Sequence, residues 1–515
     1  MTGTTGRDDG GAAATAPALA DLGTVHLVGI GGAGMSVVAR LLAARGVRVQ
    51  GSDAKDGAVV GALRADGIRV LVGHAASNVE GADTLVLSSA VRPDNPELVA
   101  ARAAGLRVLH RSEALAVLMA QGRSVAVAGA HGKTTTSAMV ATTLRAAGLD
   151  PSFAIGGSVI TSDGAIPGGH LGSGDVVVAE ADESDGSFLN YAPTIAVVLN
   201  VEPDHLDHYG SREAFEQAFV DFAQRVVPGG FLVACADDPG ARALADAHRA
   251  AGGRVVTYGT SPGSDVLLAD VRPDGAAGVA ARLTVVGGAE GGEARPLAGA
   301  LGALGAGESL GLDVGLDLRL QVPGAHNALN AAAAVATAVL LGVSAERAVA
   351  GVGEFLGTGR RFEARGEAGG VRVVDDYAHH PTEVAALLTA ARPVAAGGRV
   401  LVLFQPHLFS RTRTFAREFA DALSLADEVV VTGVYAARED PDPATGSWTI
   451  TDLMPGGSAR GVEDRVEAAR ALAASARPGD LLLTVGAGDV TELGAVVLDA
   501  LSGSEPAAPA GEVED

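Results

Sequence analysis

Lysine occurs at only two of the 515 positions, Lys55 and Lys133, and arginine supplies the rest of the 38 basic residues. Against 61 acidic side chains this leaves a formal net charge of −23 at pH 7. A general positive field able to gather nucleic acid or an anionic membrane is therefore excluded. An anionic ligand must be held by local cations, and Lys133 stands out because it ends a glycine turn. Cysteine is scarcer still. Cys235 has no partner in the chain, which excludes an internal disulfide and fits a reducing, cytoplasmic setting. Long apolar runs are also missing: the most apolar helical stretch, residues 331–343, is too short to span a bilayer and reads as a packed helix. The opening "MTGTTGRDDGG" has no basic segment followed by an apolar core, so no signal peptide is expected.

What is abundant is apolar and glycine residues, 48% and 71 positions respectively. These allow large cores with many tight turns. Short apolar runs alternate with helical patterns, as in "TVHLVGI" then "GMSVVARLLAARG", "SVAVAGA" then "TTTSAMVATTLRAAG", and "VRVVDDY" then "PTEVAALLTAAR". Such alternation predicts an α/β protein with parallel sheets and ligands at the carboxyl ends of the strands. At this length one core is too few. The expected division is three domains, at 21–120, 121–358 and 359–503, with disordered tails at 1–20 and 504–515. A small β excursion is expected between Ser261 and Leu320.

In "VHLVGIGGAGMSVVA", Gly29, Gly31 and Gly34 keep a G-x-G-x-x-G spacing after a strand and before a helix, with Asp53 at the end of the next strand. Small residues here let backbone approach a pyrophosphate that faces a helix N-terminus. A dinucleotide and a sugar nucleotide such as a UDP-sugar both carry that group, so both remain open. The second loop, "GAHGKTTT", is shorter than the common phosphate loop, and Val127 stands where the usual spacing asks for glycine. Gly129, Ala130, His131, Gly132, Lys133, Thr134 and Thr135 still follow a strand and open a helix. Backbone N–H groups and Lys133 suit the β- and γ-phosphates of ATP, and the Thr134 hydroxyl suits Mg2+. Carboxylates in "AEADESDGSF" also suit a hard cation. Glu180, against the apolar "VVVA", is the strongest of them, whereas Asp182, Glu183 and Asp185 read equally well as solvated acids. His205 suits a metal, its water, or a local hydrogen bond.

In order along the chain, "GAHGKTTT", "EADESDGSF", "NVEPDHLDHYG", "GAHNALNAAAA", "GRRFE", "DDYAHHPTEV" and "FQPHLFSRTR" resemble the Mur ligases, from about Thr24 to about Asp499. The resemblance implies a three-domain architecture: a Rossmann-like UDP-binding domain, a central ATPase-type domain and a Rossmann-like C-terminal domain that receives the amino acid. The branch resembled joins L-alanine to the lactyl carboxylate of UDP-N-acetylmuramate, using ATP through an acyl phosphate, as the first amino-acid addition of peptidoglycan precursor synthesis. It further implies that Gly29, Gly31, Gly32, Gly34, Asp53, His74, Ser88 and Ser89 face the UDP substrate and that Asn327 and Asn330 face adenine. Thr134, Glu180 and His205 would hold Mg2+, or Mn2+ in its place. Lys133, Glu180, His205, Arg360, His379 and Arg411 would carry the chemistry, with His380, His407 and Arg361 near them. Arginine suits bidentate capture of a carboxylate. Several relatives bridge their metal with a carbamylated lysine, and here no lysine follows Lys133. A monomer or a homodimer is expected. Two other functions stay in view: a nicotinamide oxidoreductase built on the first glycine loop, and a nucleotide-driven switch built on the second.

Overall fold

The computed structural model describes residues 17–203, 206–275, 277–286, 289–290, 293–294, 297, 314–437, 439–455 and 459–503. Residues 1–16 and 504–515, most of the two expected tails, lie outside these. Chain structure begins inside the first of them, however, because a 3-10 turn at Leu19–Leu22 plugs Leu22 into the core.

The first sheet is all parallel. Thr24–Val28 lies at its centre, Arg48–Asp53 and then Arg69–Val72 to one side, Thr84–Leu87 and then Arg107–His110 to the other. Strand order therefore reverses beside Thr24–Val28, and such a reversal opens a crevice at the carboxyl ends of the strands. The glycine loop sits there because it leaves that strand.

Among the described residues the main sheet of the middle domain has ten strands, of which Arg123–Ala128 lies between Val176–Glu180 and Ile195–Val198. These three strands are buried almost throughout, the continuous apolar pattern of a parallel sheet covered on both faces. Helices Lys133–Ala146 and Ala325–Leu340 pack on this sheet and on each other. The run at 331–343 thus lies largely within a buried globular helix, and among the described residues no helix is long and apolar enough to cross a membrane. Antiparallel strands Val266–Asp274, Gly278–Val285 and Val314–Leu320 extend one edge of the sheet.

The last sheet opens with the hairpin Glu363–Ala368 and Val371–Asp376 and continues in parallel through Leu481–Val485, Val400–Phe404, Glu428–Val431 and Ala459–Gly461. One apolar core runs from Leu22 through Phe355, joining the first and middle domains. The last domain keeps separate apolar clusters on the two sides of its sheet. Burial thus welds two domains together and leaves the third to be attached by other contacts.

Candidate active site

Beside Thr24–Val28 an open cleft of about 950 Å³ is lined by Gly29, Gly31, Gly32, Asp53, His74 and Ser88. Gly29 has φ 72°, which glycine adopts without strain. The Asp53 carboxylate accepts from the Gly31 N–H at 2.8 Å, and a Cβ on Gly31 would crowd that same oxygen at 2.8 Å. Asp53 therefore shapes the loop. Gly34 turns away toward a residue the sequence reading missed: a Cβ there would overlap the Arg111 guanidinium. Ser89 is placed differently from expectation as well, since its hydroxyl donates to Asp185 of the middle domain and lies 3.2 Å from His110 Nε2.

Below the cleft, Glu97 is fully buried and accepts from Ser52 Oγ and Asn78 Nδ2, each at 2.6 Å. His26 Nε2 and His74 Nδ1 approach it at 3.3 and 3.4 Å. Burial opposes its charge, yet His26, Ser52 and Asn78 outweigh burial and hold its pKa down at about 2. With Nδ1 of His74 turned to Glu97, the other ring edge is left for the cleft.

The second loop closes the carboxyl end of Arg123–Ala128. Gly129 (φ 140°) and Gly132 (φ 84°) make its turns. The Asn200 amide clamps the loop at both ends of its reach, accepting from His131 N–H at 3.0 Å and donating to His131 O at 3.1 Å. Lys133 Nζ donates to Gly129 O at 2.7 Å and to both oxygens of Glu183 at 2.9 and 2.8 Å. Glu183 is 1% exposed, so its reading as a solvated acid is overturned: it is the buried counter-ion of the loop lysine. Burial opposes the Lys133 charge, but Glu183 and Asp182 outweigh it and hold the ammonium protonated. Asp182 and Asp185 are turned instead toward Arg111 and His110 of the first domain.

Glu180 tests the fit of Mg2+. Its Oε1 is buried and has no hydrogen-bond partner among the described residues, Thr134 and the Gly156 backbone hydrogen-bond to the carboxylate, and burial raises its pKa. A buried carboxylate oxygen beside a hydroxyl is a hard-oxygen donor set, and the residues fit Mg2+. His205 lies outside the described residues.

Between the middle and last domains a cavity of about 300 Å³ is bounded by His131, Asn200, Asn327, Asn330, Arg361 and Glu383. Asn330 donates to Asn327 Oδ1 at 3.2 Å, and Asn327 to Pro323 O at 2.7 Å, which fixes both amides at the start of their helix. Cys235 also lines this cavity as a buried thiol. Of the paired arginines, Arg360 is tied into the last domain, donating to Gly486 O at 2.7 Å and Gly488 O at 3.1 Å and lying 3.3 Å from Asp375. Arg361 is the one that lines the cavity.

In the last domain, His379 Nδ1 lies 3.2 Å from Glu383 and from Tyr377 O. Burial, with Arg411, Arg361 and His407 adding to it against Glu383, lowers its pKa to about 3, so the ring is neutral. His407 sits 5.9 Å from it, ring to ring, and Arg411 is buried. His380 packs on Phe415 and, 4.7 Å away, on His131 of the other domain. Glu202 and Glu383, both absent from the expected site, prove central to this junction. The sequence carries one signal for Glu383, the "HPTE" helix start, in which glutamate caps its own helix.

Three family models cover the chain: the Mur ligase family catalytic domain at residues 24–123, the Mur ligase middle domain at 127–300 and the Mur ligase glutamate ligase domain at 360–488. Among curated proteins, the UDP-N-acetylmuramate--L-alanine ligase of Kineococcus radiotolerans is 56% identical over 98% of this chain and 100% of its own length. The protein of the same name from Renibacterium salmoninarum is 55% identical over 96% and 98%. Among solved structures, the UDP-N-acetylmuramate-alanine ligase of Thermotoga maritima superposes with a TM-score of 0.73 at 31% identity, covering 94% of this chain and all of that one. The chain belongs to the Mur ligase family.

Proposed function

We propose that this protein joins L-alanine to the lactyl carboxylate of UDP-N-acetylmuramate, converting ATP to ADP and phosphate in the cytoplasm. The observation that carries the reading is the second loop: Lys133, held protonated and paired with the buried Glu183, sits in the same carboxylate cluster as a Glu180 oxygen with no partner among the described residues. The glycine-loop cleft is lined by the first domain, and a second cavity lies where this loop's domain meets the last. The names borne by relatives that match over nearly their whole length, with more than half of the aligned positions identical, supply the substrates.

In the proposed reaction a carboxylate oxygen attacks the γ-phosphorus of ATP and the bond to ADP breaks, leaving an acyl phosphate. The alanine nitrogen then attacks the acyl carbon, the carbon–oxygen bond to phosphate breaks, and the nitrogen loses its proton. The backbone N–H groups of the Gly129–Thr135 loop and Lys133 hold the β- and γ-phosphates. Thr134 and Glu180 would hold Mg2+, with His205 as the further ligand the family resemblance implies, and the bound ion would supply charge neutralisation at the phosphates. Asn327 and Asn330 receive adenine, and Arg361, which faces the cavity, takes the phosphate role in preference to Arg360. Arg411 pairs with the alanine carboxylate, while neutral His379 leaves room for an incoming amine without a second charge. Gly29, Gly31, Gly32, Asp53, His74 and Ser88 hold the UDP end, whose binding energy positions a small carboxylate remote from it.

Purified protein should release ADP only when UDP-N-acetylmuramate and L-alanine are both present. Release that ignores either one would contradict the reading. A nicotinamide role for the first loop explains neither Lys133 nor Glu180, and a switch protein would form no amide.

A further inference from the structure

His131 stands in the second glycine loop, and both nitrogens of its ring face carboxylates. Its Nε2 lies 3.2 Å from Glu202 Oε2, and its Nδ1 lies 3.5 Å from Glu383 Oε1 across the domain junction. Ionised carboxylates only accept hydrogen bonds, so a ring with both nitrogens on carboxylates must carry both protons. Despite burial, which opposes the charge, the two carboxylates raise the His131 pKa to about 9. The backbone of His131 is meanwhile fixed by Asn200. The phosphate loop is thus held from the middle domain through its backbone and from the last domain through its side chain.

On the other side, Glu383 gathers four residues. Its Oε2 accepts from the N–H of His379 at 2.9 Å and of His380 at 3.3 Å, and meets His379 Nδ1 at 3.2 Å. Its Oε1 faces His131 and, at 3.7 Å, Arg361 Nη1. The neighbouring Thr382 donates to Glu202 at 2.8 Å, so the start of the helix Pro381–Val394 touches the middle domain twice. Capping alone accounts for the two backbone bonds, and it does not account for the oxygen aimed across the junction.

We propose that Glu383 is a positioning residue that couples the phosphate loop to the last domain, gripping the His131 imidazolium while it holds Arg361 and His379. The loop then takes its phosphate-binding shape fully when the last domain is docked, so ATP is gripped where the amino acid is received. This rests on the function proposed above, and it identifies a connection that function does not require.

The test is a double-mutant cycle on the full chain with Glu383→Gln and His131→Ala, read as affinity for a non-hydrolysable ATP analogue by calorimetry. Glutamine keeps an acceptor for the helix cap and loses the charge, so E383Q should stay folded with a cooperative thermal transition at a lowered midpoint. Each single variant should weaken the analogue about tenfold, and the double variant no more than either one, the signature of a shared interaction. The wild-type affinity should fall as pH rises through about 9, and in E383Q that fall should begin at lower pH, with Glu202, Arg361 and His380 the other charged or titratable groups facing the ring. Single effects that multiply to about a hundredfold, or an E383Q that binds the analogue with unchanged pH profile, would overturn the proposal. Because the readout is nucleotide binding, a wild type that binds the analogue yet forms no alanine product would count against the proposed function and leave the coupling standing.

Discussion

At the scale of single residues, chemistry is concentrated in a few buried charges. Lys133 is held by the buried Glu183, so replacing the lysine removes the only ammonium within the loop and strands a buried carboxylate. Lys133→Ala should abolish turnover while the affinity for UDP-N-acetylmuramate, measured by calorimetry, changes by less than about threefold, because sites in separate domains act nearly additively. Glu180→Gln should leave the fold intact, lower turnover by at least about a hundredfold and raise the Mg2+ concentration needed for it, in keeping with the loss of a charged ligand. The lysine loop was legible because strand, glycines, lysine and hydroxyls are consecutive in sequence. The partner of Lys133 was not, since nothing in "EADESD" distinguishes the buried Glu183 from acids that face Arg111 and His110; only the packing of the strand end decides which of them loses water.

Among secondary-structure elements, the helix starts and strand ends do the positioning. Helix Pro96–Ala103 begins with Asn95 accepting from the N–H groups of Glu97 and Leu98, and that cap delivers Glu97 beneath the first-domain cleft. Glu97 has a folded pKa of about 2 against an ordinary 4.5, so its stabilisation is present above about pH 4.5 and is lost as pH falls toward 2. Glu97→Ala would leave Ser52, Asn78 and two histidines without their acceptor and should destabilise the protein by about 2 kcal/mol or more, read as a lowered urea midpoint. It should also weaken UDP-substrate binding through a loosened His74. The same sign argument runs the other way for His131: a pKa raised to about 9 stabilises the junction most fully below about pH 6.5, and that contribution fades as pH rises through 9. Strand and helix alternation and both glycine loops could be read from periodicity and spacing. Contacts such as Thr382 with Glu202 and Ser89 with Asp185 join residues far apart in sequence, and no local pattern announces them.

For the molecule as a whole, one apolar core spans the first two domains and the last has its own. The first-domain cleft and the lysine loop therefore sit on one shared core, while ion pairs and hydrogen bonds such as His131 with Glu383 and Thr382 with Glu202 link the last domain near the site. Small-angle scattering should show the chain contract when the ATP analogue and UDP-N-acetylmuramate are added together, and contract less in E383Q. Such closure excludes water from an acyl phosphate that would otherwise hydrolyse. The central claim, that the lysine loop activates a carboxylate for capture by an amino acid, is tested most directly by mass analysis of products from UDP-N-acetylmuramate, ATP and a mixture of amino acids. The account predicts UDP-N-acetylmuramoyl-L-alanine, formed in step with ADP and phosphate. ADP without any amide, or an amide formed without ATP, would contradict it.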